Sequence, residues 1–239
     1  MNERQVPARI NLFGQQFAET CERIHRCLVD LPDYKSHKEV PFQNGLYFWY
    51  EEGERCSHFD TPRIVRVGNH PNAQDGLKTR LRNHYSGQKN GSVFRKFIGG
   101  ALLRSRDPDN PCLSPGPGLG HWEKQDEDCC DICRPLEAEV SAVIRQRFSF
   151  KSINIEDRTF RNYLERVIIR DLSHCPTCRP SKNWLGQFAY NAKIRELGMW
   201  NSEFAFGPMS AVDDYLEQLE SLADKTKELI RELTISGTK

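Results

Sequence analysis

Side chains able to bind anions or move protons lie in short motifs along the middle of this 239-residue chain. One β-like run holds Gly45-Leu46-Tyr47, and a second ends in Arg66-Val67-Gly68. We expect the two runs to pair as a hairpin. In the predicted helix that follows, Arg80 and His84 are four residues apart. Side chains at this spacing are neighbours on one helix face. The sequence therefore predicts a guanidinium and an imidazole side by side.

Two later motifs extend this series. A predicted helix contains Asn162-Tyr163-Leu164-Glu165-Arg166-Val167-Ile168, and a loop contains Pro180-Ser181-Lys182-Asn183-Trp184-Leu185-Gly186. The order of the motifs resembles the GIY-YIG endonuclease family. That family has a β-Gly-x-Tyr motif, a second β motif, a helix with Arg and His, a metal-binding helix and a closing Asn motif. The resemblance covers residues 44–187. Each motif is weak alone, and it is their order that makes the match specific.

The resemblance implies metal-dependent hydrolysis of DNA phosphodiester bonds, with Tyr47 as the general base, either as a phenolate or through a water. Because tyrosine is normally protonated at neutral pH, nearby cations and the metal must favour its charged form. Arg80 is expected to hold the scissile phosphate with its planar guanidinium. Glu165 is expected to bind one Mg²⁺ or Mn²⁺. His84 would orient Tyr47 or relay protons, and Asn183 would brace the site by hydrogen bonds.

Each of these residues also has a purely structural interpretation. Tyr47 precedes Phe48 and Trp49 and could belong to the core. Glu165 lies among apolar neighbours and could form a buried salt bridge with Arg80. Arg80 and His84 could be solvated, and Asn183 could be a turn residue.

Arg66 departs from the family pattern, because it stands where the family has its second tyrosine. Arginine stays protonated at neutral pH and cannot be a base. We expect Arg66 to supplement the phosphate-binding group and to favour the phenolate of Tyr47. The alternative is a degenerate nuclease fold that binds nucleic acid or protein without cutting.

A basic block runs from Gly76 to Arg106 and contains no acidic residue. Such a block is a candidate phosphate-binding surface, although a solvated face balanced by acids elsewhere is an equal alternative. The residues predicted to bind nucleic acid are Lys78, Arg82, Lys89, Arg95 and Lys96.

The cysteines suggest a second metal. Cys130 and Cys133, and Cys175 and Cys178, form two Cys-x-x-Cys pairs, which suit a tetrahedral zinc site. A helix, a strand and a second helix separate the pairs, so we expect the pairs to lie far apart. Zinc is therefore a candidate that topology disfavours. A local site would draw on Cys112, His121, Cys129, Cys130 and Cys133, and the chain would then be a zinc-organised interaction module.

A zinc deaminase is another interpretation of this region. His121-Trp122-Glu123 followed by a Cys-x-x-Cys pair is similar to the deaminase signature. Cys130 follows Glu123 by only seven residues and is preceded by Cys129 rather than by proline. The sequence therefore argues against deamination.

Hydrophobic periodicity predicts an α/β (α+β) fold with a small, three-stranded, largely antiparallel sheet flanked by helices. We expect an N-terminal helical extension over 1–41, a nuclease-like domain over 42–190 and a C-terminal helical extension over 191–239, packed on the same core. Polar residues 51–54 predict a turn. The predicted elements are helices over 8–30, 76–86, 92–103, 135–147, 157–172 and 210–234, strands over 45–50, 63–67 and 148–155, and a loop over 107–121.

Composition bounds the class of protein. Hydrophobic residues make up 38% of the chain and charged residues 28%, as in ordinary globular proteins. The sequence has no apolar run long enough to cross a membrane and no signal-like start. We therefore expect an intracellular, cytoplasmic protein with no membrane association. The family resemblance implies DNA as its partner, and of the possible oligomeric states a monomer is favoured.

Overall fold

The computed structural model describes residues 5–70, 76–110, 112, 113, 122, 133–204 and 213–236. The protein has an α+β fold with a three-stranded antiparallel sheet, as predicted. Its elements are α1 (Gln5–Leu28), β1 (Gly45–Arg55), β2 (Pro62–Gly68), α2 (Gly76–Ser86), α3 (Val93–Arg106), α4 (Cys133–Arg147), β3 (Phe148–Asn154), α5 (Arg158–His174), α6 (Ala192–Leu197) and α7 (Asp213–Ser236).

Strand β1 lies in the centre of the sheet, in the order β2-β1-β3. Tyr47 of β1 is opposite Gly68 of β2 and Ser152 of β3. Both pairings are antiparallel, so the start of β1, the end of β2 and the end of β3 meet at one end of the sheet.

The prediction of a turn at 51–54 was wrong, because β1 continues to Arg55. The carboxylate of Glu51 is buried and accepts hydrogen bonds from the indoles of Trp184 and Trp200, each at 3.0 Å. Glu54 is also buried and pairs with Arg63 at 2.6 Å. The two tryptophans come from distant parts of the chain and Arg63 comes from the neighbouring strand β2, so two polar residues that look solvated in the sequence are held inside.

The sheet has a hydrophobic layer on each face, because side chains alternate along a strand. Tyr47 and Trp49 point to a cluster that includes buried residues of α2, α3 and α4. Leu46 and Phe48 point to a second cluster that includes residues of α1, α5 and α7. Tyr215 and other buried residues of α7 lie in this second cluster, so α7 packs on the α1 and α5 side of the sheet.

Most predicted helices occur within a few residues of their expected bounds. Asp157 caps α5, and its side chain accepts the Phe160 amide. Helix α4 begins at Cys133 rather than at Pro135. Most of the predicted loop over 107–121 lies outside the described residues. The predicted domain boundaries stay a prediction, although α1 and α7 share a hydrophobic cluster with the sheet.

Within the described part of the chain, none of the helices combines the length and the apolar character needed to cross a bilayer.

Candidate active site

Tyr47 and His84 form the centre of the site. The Tyr47 hydroxyl lies 2.9 Å from Nε2 of His84 and 3.4 Å from the carbonyl oxygen of Asn69. Both side chains are fully buried. The ring of Tyr47 crosses Gly68 so closely that a Cβ at that position would lie 2.5 Å from the ring. Gly68 of the second sequence motif is therefore needed to let Tyr47 of the first lie flat across β2.

A second hydrogen bond fixes the imidazole of His84. Its Nδ1 lies 2.7 Å from the hydroxyl of Ser92, which caps α3 by accepting the amide of Arg95. Burial, followed by the nearby charges of Arg80, Arg66 and Arg95, lowers the pKa of His84 well below its usual value. His84 is therefore a neutral imidazole at physiological pH.

Asn69, just after β2, joins Tyr47 to helix α5. Its carbonyl faces the Tyr47 hydroxyl, and its amide donates to the carboxylate of Glu165. Its side-chain amide donates to Asn162 of α5 at 2.9 Å. A single residue thus bridges the tyrosine and the carboxylate.

Arg66, Arg80 and Glu165 line one open cleft of about 230 Å³ together with Asn69 and Asn201. These residues come from β2, α2, α5 and the segments after β2 and α6. The structure thus brings together the guanidinium groups of Arg66 and Arg80 and the carboxylate of Glu165, and Glu203 adds a second carboxylate to the lining.

Arg66 lies between this cleft and Tyr47. Its guanidinium hydrogen-bonds to Tyr47 and to the carbonyl of Trp200, and lies 5.2 Å from the ring centroid of Phe94. Burial lowers the pKa of Arg66 from its usual value, while the facing Tyr47 and Glu165 oppose that shift. The buried Nε atoms of Arg66 and Arg80 lack a hydrogen-bond partner among the described residues. A buried donor without a partner is costly, so both arginines have capacity to bind an anion.

Glu165 has the character expected of a metal ligand. Burial raises the pKa of its carboxyl group, and the opposing effects come from Arg66, the Asn69 amide, Arg80 and Arg166. A carboxylate that is partly withdrawn from water and opens on a cleft gains from a bound cation. Mg²⁺ commonly takes one or two carboxylates and keeps several waters. The donor set therefore fits a single ion held by Glu165.

The GIY-YIG domain model matches residues 8–229, which is most of the chain. The protein belongs to the GIY-YIG family. Comparison with curated proteins and with solved structures finds no match. GIY-YIG proteins are typically endonucleases, generally dependent on a divalent metal, so membership indicates a nuclease of the hydrolase class that acts on nucleic acid.

Asn183, the residue of the predicted closing motif, lies away from this GIY-YIG cleft. Its side chain is exposed, and the next residue, Trp184, is bound to Glu51 further along β1. In the cleft, Asn201 is buried and pairs with the backbone of Val67 through both ends of its amide, at 3.0 and 2.9 Å. Asn201 therefore braces the site. In the sequence, the only indication of this role is the position of Asn201 directly after Met199-Trp200.

The predicted nucleic-acid-binding residues do not form one surface. Lys89 and Arg95 are buried. The ammonium of Lys89 donates to the Trp122 carbonyl at 3.0 Å, and Arg95 pairs with Glu137 at 2.7 Å. Lys96 is half-buried. Lys89 and Arg95 hold α2, α3 and α4 together, so these two residues are not available to phosphate.

Lys78 and Arg82 belong to a separate basic patch on α2. Lys78 is half-buried and Arg82 is exposed. Burial and the charges of Lys38, Arg82 and Lys78 lower the pKa of His37, so these cations surround it. Residues two positions from Arg80 are turned roughly 200° around the helix, so this patch faces away from the cleft.

Proposed function

We propose that this protein is a Mg²⁺-dependent endonuclease that hydrolyses DNA phosphodiester bonds in the cleft between β2, α2 and α5. The observation that carries the proposal is the meeting of the Tyr47–His84 hydrogen-bonded pair with Arg66, Arg80 and Glu165. Hydrolysis of a phosphodiester needs an activated water, charge neutralisation around the phosphorus and a stabilised leaving oxygen. These groups can meet all three needs.

Tyr47 is the proposed general base, acting as a phenolate. Arg66 donates to its hydroxyl oxygen, and His84 can donate through Nε2. Two donors on one oxygen favour the negative charge that a base requires. The attacking water would lie beside Asn69, where the contact of the Tyr47 hydroxyl with the carbonyl oxygen is long, at 3.4 Å.

Arg80 and Arg66 are the proposed phosphate ligands. Both line the cleft, and each has a buried Nε without a protein partner in the described residues. Guanidinium groups present parallel N–H donors that match two phosphate oxygens. The pair would orient the scissile phosphate and neutralise the charge that develops in the transition state.

Glu165 is the proposed ligand of the metal ion. When bound, Mg²⁺ supplies Lewis-acid stabilisation of the phosphate and the leaving oxygen. The Asn69 amide holds the Glu165 carboxylate from the protein side, which leaves its remaining lone pairs directed to the cleft. Asn162 keeps Asn69 in place.

The test is cleavage of plasmid and of branched DNA by the purified protein, with Mg²⁺ or with chelator. We expect cutting only with the metal, and little or none by Tyr47→Phe, Arg80→Ala or Glu165→Ala. Residues of one catalytic unit are not additive, so double variants should be scarcely worse than single ones. Cleavage of RNA but not of DNA would correct the substrate.

Tyr85→Phe is the matched control. Tyr85 is buried in the same hydrophobic cluster as Tyr47, and its hydroxyl has no hydrogen-bond partner among the described residues. Removing that hydroxyl should leave cleavage unchanged. If Tyr47→Phe cuts as fast as Tyr85→Phe, Tyr47 is a core residue and the assignment fails.

A degenerate nuclease fold that only binds nucleic acid or protein is the second candidate. It is favoured by the complete burial of Tyr47 behind Arg66. This candidate predicts DNA binding that depends on Arg66 and Arg80 without cleavage under any metal condition.

A further inference from the structure

A cluster of cysteine and histidine side chains lies on the α1 and α5 side of the sheet. Cys21 comes from α1, Cys56 and His58 follow β1, and Cys175 and Cys178 follow α5. The ligand atoms of Cys21, His58 and Cys175 lie within 4.8 Å of one another. Those of His25, Cys56 and Cys178 do so as well. All four cysteines are buried and free of disulfides.

The four thiols form a connected set, because Cys21 interacts with both Cys175 and Cys178, and Cys56 interacts with Cys178. A tetrahedral zinc ion with Zn–S bonds of about 2.3 Å holds its sulfur atoms about 3.8 Å apart. The ligand atoms within each of the two groups lie within 4.8 Å of one another, which is close to that spacing.

The two histidines have different roles. Nδ1 of His25 lies 2.9 Å from the Cys21 carbonyl, and its Nε2 accepts the Ile64 amide at 3.2 Å. Both nitrogens of His25 thus have a backbone partner, and Nδ1 also lies 3.6 Å from the sulfur of Cys21. Nε2 of His58 lies 3.3 Å from the sulfur of Cys175, where an N–H would donate to a thiolate.

Backbone amides also point at the sulfur atoms. The Cys178 amide donates to the Cys175 sulfur at 3.3 Å. Amides of His58 and Phe59 point at Cys56, and that of Ser57 at Cys178. Hydrogen bonds to the charged form favour thiolates, which are the form that binds metal.

Charge compensation is the remaining requirement. Zinc binds cysteine sulfur as the thiolate, and four thiolates held together and withdrawn from water need a cation. Apart from other cysteines, the side chains that the structure places on these sulfurs are His25, His58 and Thr177, none of which carries a permanent positive charge.

We propose that Cys21, Cys56, Cys175 and Cys178 bind a structural zinc ion, with His58 as a positioning residue that donates to Cys175. Closed four-thiolate sites are typical of structural zinc, and outer hydrogen bonds to the ligands tune such sites. The ion would join α1 and the end of the β1–β2 hairpin to the end of α5, the helix that carries Glu165. This inference is independent of the proposed nuclease activity.

The experiment measures zinc in protein purified without chelator. We expect one zinc per chain, and loss of that zinc in Cys175→Ser and in Cys21→Ser. Cys27→Ser is the matched control, because Cys27 is also buried on α1 but its thiol donates to the Ile24 carbonyl at 3.2 Å. Cys27→Ser and His58→Gln should both keep the metal.

A measurement on the wild-type chain tests the proposal even if the variants fail to fold. X-ray absorption at the zinc edge should count four sulfur neighbours, and chelation should lower Tm in a way that added zinc reverses. Absence of zinc, zinc retained in Cys175→Ser, zinc lost in His58→Gln, or a nitrogen neighbour would each overturn the proposed ligand set. Disulfides among these cysteines in freshly purified protein, seen by mass, would also overturn it.

Discussion

Around Tyr47, the hydrogen bonds form a chain that runs from Ser92 to Asn69. The Ser92 hydroxyl accepts the Arg95 amide and can still donate its own hydrogen to Nδ1 of His84. In that arrangement Nε2 of His84 carries the hydrogen and donates to Tyr47, which donates to the Asn69 carbonyl. Every member then has a partner, and His84 donates to the oxygen of Tyr47 instead of competing for its proton.

The neutral state of His84 has a consequence for stability. The pKa of His84 in the folded protein lies well below the usual value of 6.5, near which an unfolded histidine titrates. Below about pH 6.5 the unfolded state binds a proton that the folded state does not. The free energy of unfolding therefore falls as the pH falls, with a limiting slope of about 1.4 kcal/mol per pH unit for one residue.

We expect His84→Gln to have a shallower dependence of unfolding free energy on pH between 6.5 and 5.5 than the wild type, measured by urea unfolding. His25, whose pKa burial also lowers, contributes the same slope to both proteins and serves as an internal reference. Identical slopes for the two proteins would mean that folded His84 takes up the proton.

Among the elements, the edge strand β2 organises the site. It supplies Arg66, the close contact at Gly68 and, just beyond its end, Asn69. On its outer side, Asn201 binds the amide and carbonyl of Val67, and the Trp200 amide donates to Val65 at 2.7 Å. The segment after α6 thus covers the edge of the sheet and fixes the strand that forms one wall of the cleft.

Gly68→Ala tests this contact. The added Cβ would lie 2.5 Å from the ring of Tyr47, so the tyrosine or the strand must move. Overpacking of this kind costs about 1–3 kcal/mol, and we expect that loss of stability together with loss of DNA cleavage. Urea unfolding and the plasmid assay measure the two effects.

Gly91→Ala is the control, because a Cβ there meets nothing within 4 Å and should change stability by less than about 0.5 kcal/mol. Equal behaviour of the two alanine variants would contradict the packing of Tyr47 on Gly68.

Across the whole molecule, some basic side chains are buried and hold helices together, whereas others lie on the surface. Lys89 and Arg95 hold the layer of helices α2, α3 and α4, whereas Lys38, Lys78 and Arg82 form the patch around His37. Of these two groups, only the external cations can reach DNA phosphates and release counterions from DNA.

The salt dependence of DNA affinity measures this division. We expect log affinity to fall linearly with log salt. If DNA also contacts the patch on the far face of α2, removal of Lys78 and Arg82 should flatten the slope by about 0.9 for each phosphate that is no longer neutralised. Arg231→Ala, at an exposed position near the end of α7, should leave the slope unchanged. A slope unaffected by Lys78 and Arg82 would place the DNA elsewhere.

The sequence alone determined the features that depend on local periodicity and short spacing. Alternating strands, the i, i+4 pair Arg80 and His84, and the capped helix carrying Glu165 all follow from neighbours in the chain. Because β1 and β2 form a simple hairpin, the pairing of Tyr47 with the end of β2 could also be predicted.

Tertiary structure decided the features that depend on partners distant in the chain. The positive charge of Arg95 does not by itself predict its ion pair with Glu137 of α4. The polar run at 51–54 does not predict that Glu51 accepts a hydrogen bond from the indole of Trp200. The single residues Cys21 and Cys56 carry no spacing signal of their own. A side chain's chemistry is a local property, but its burial and its partners are set by packing between elements, and packing brings together in one cluster cysteines that the sequence keeps apart.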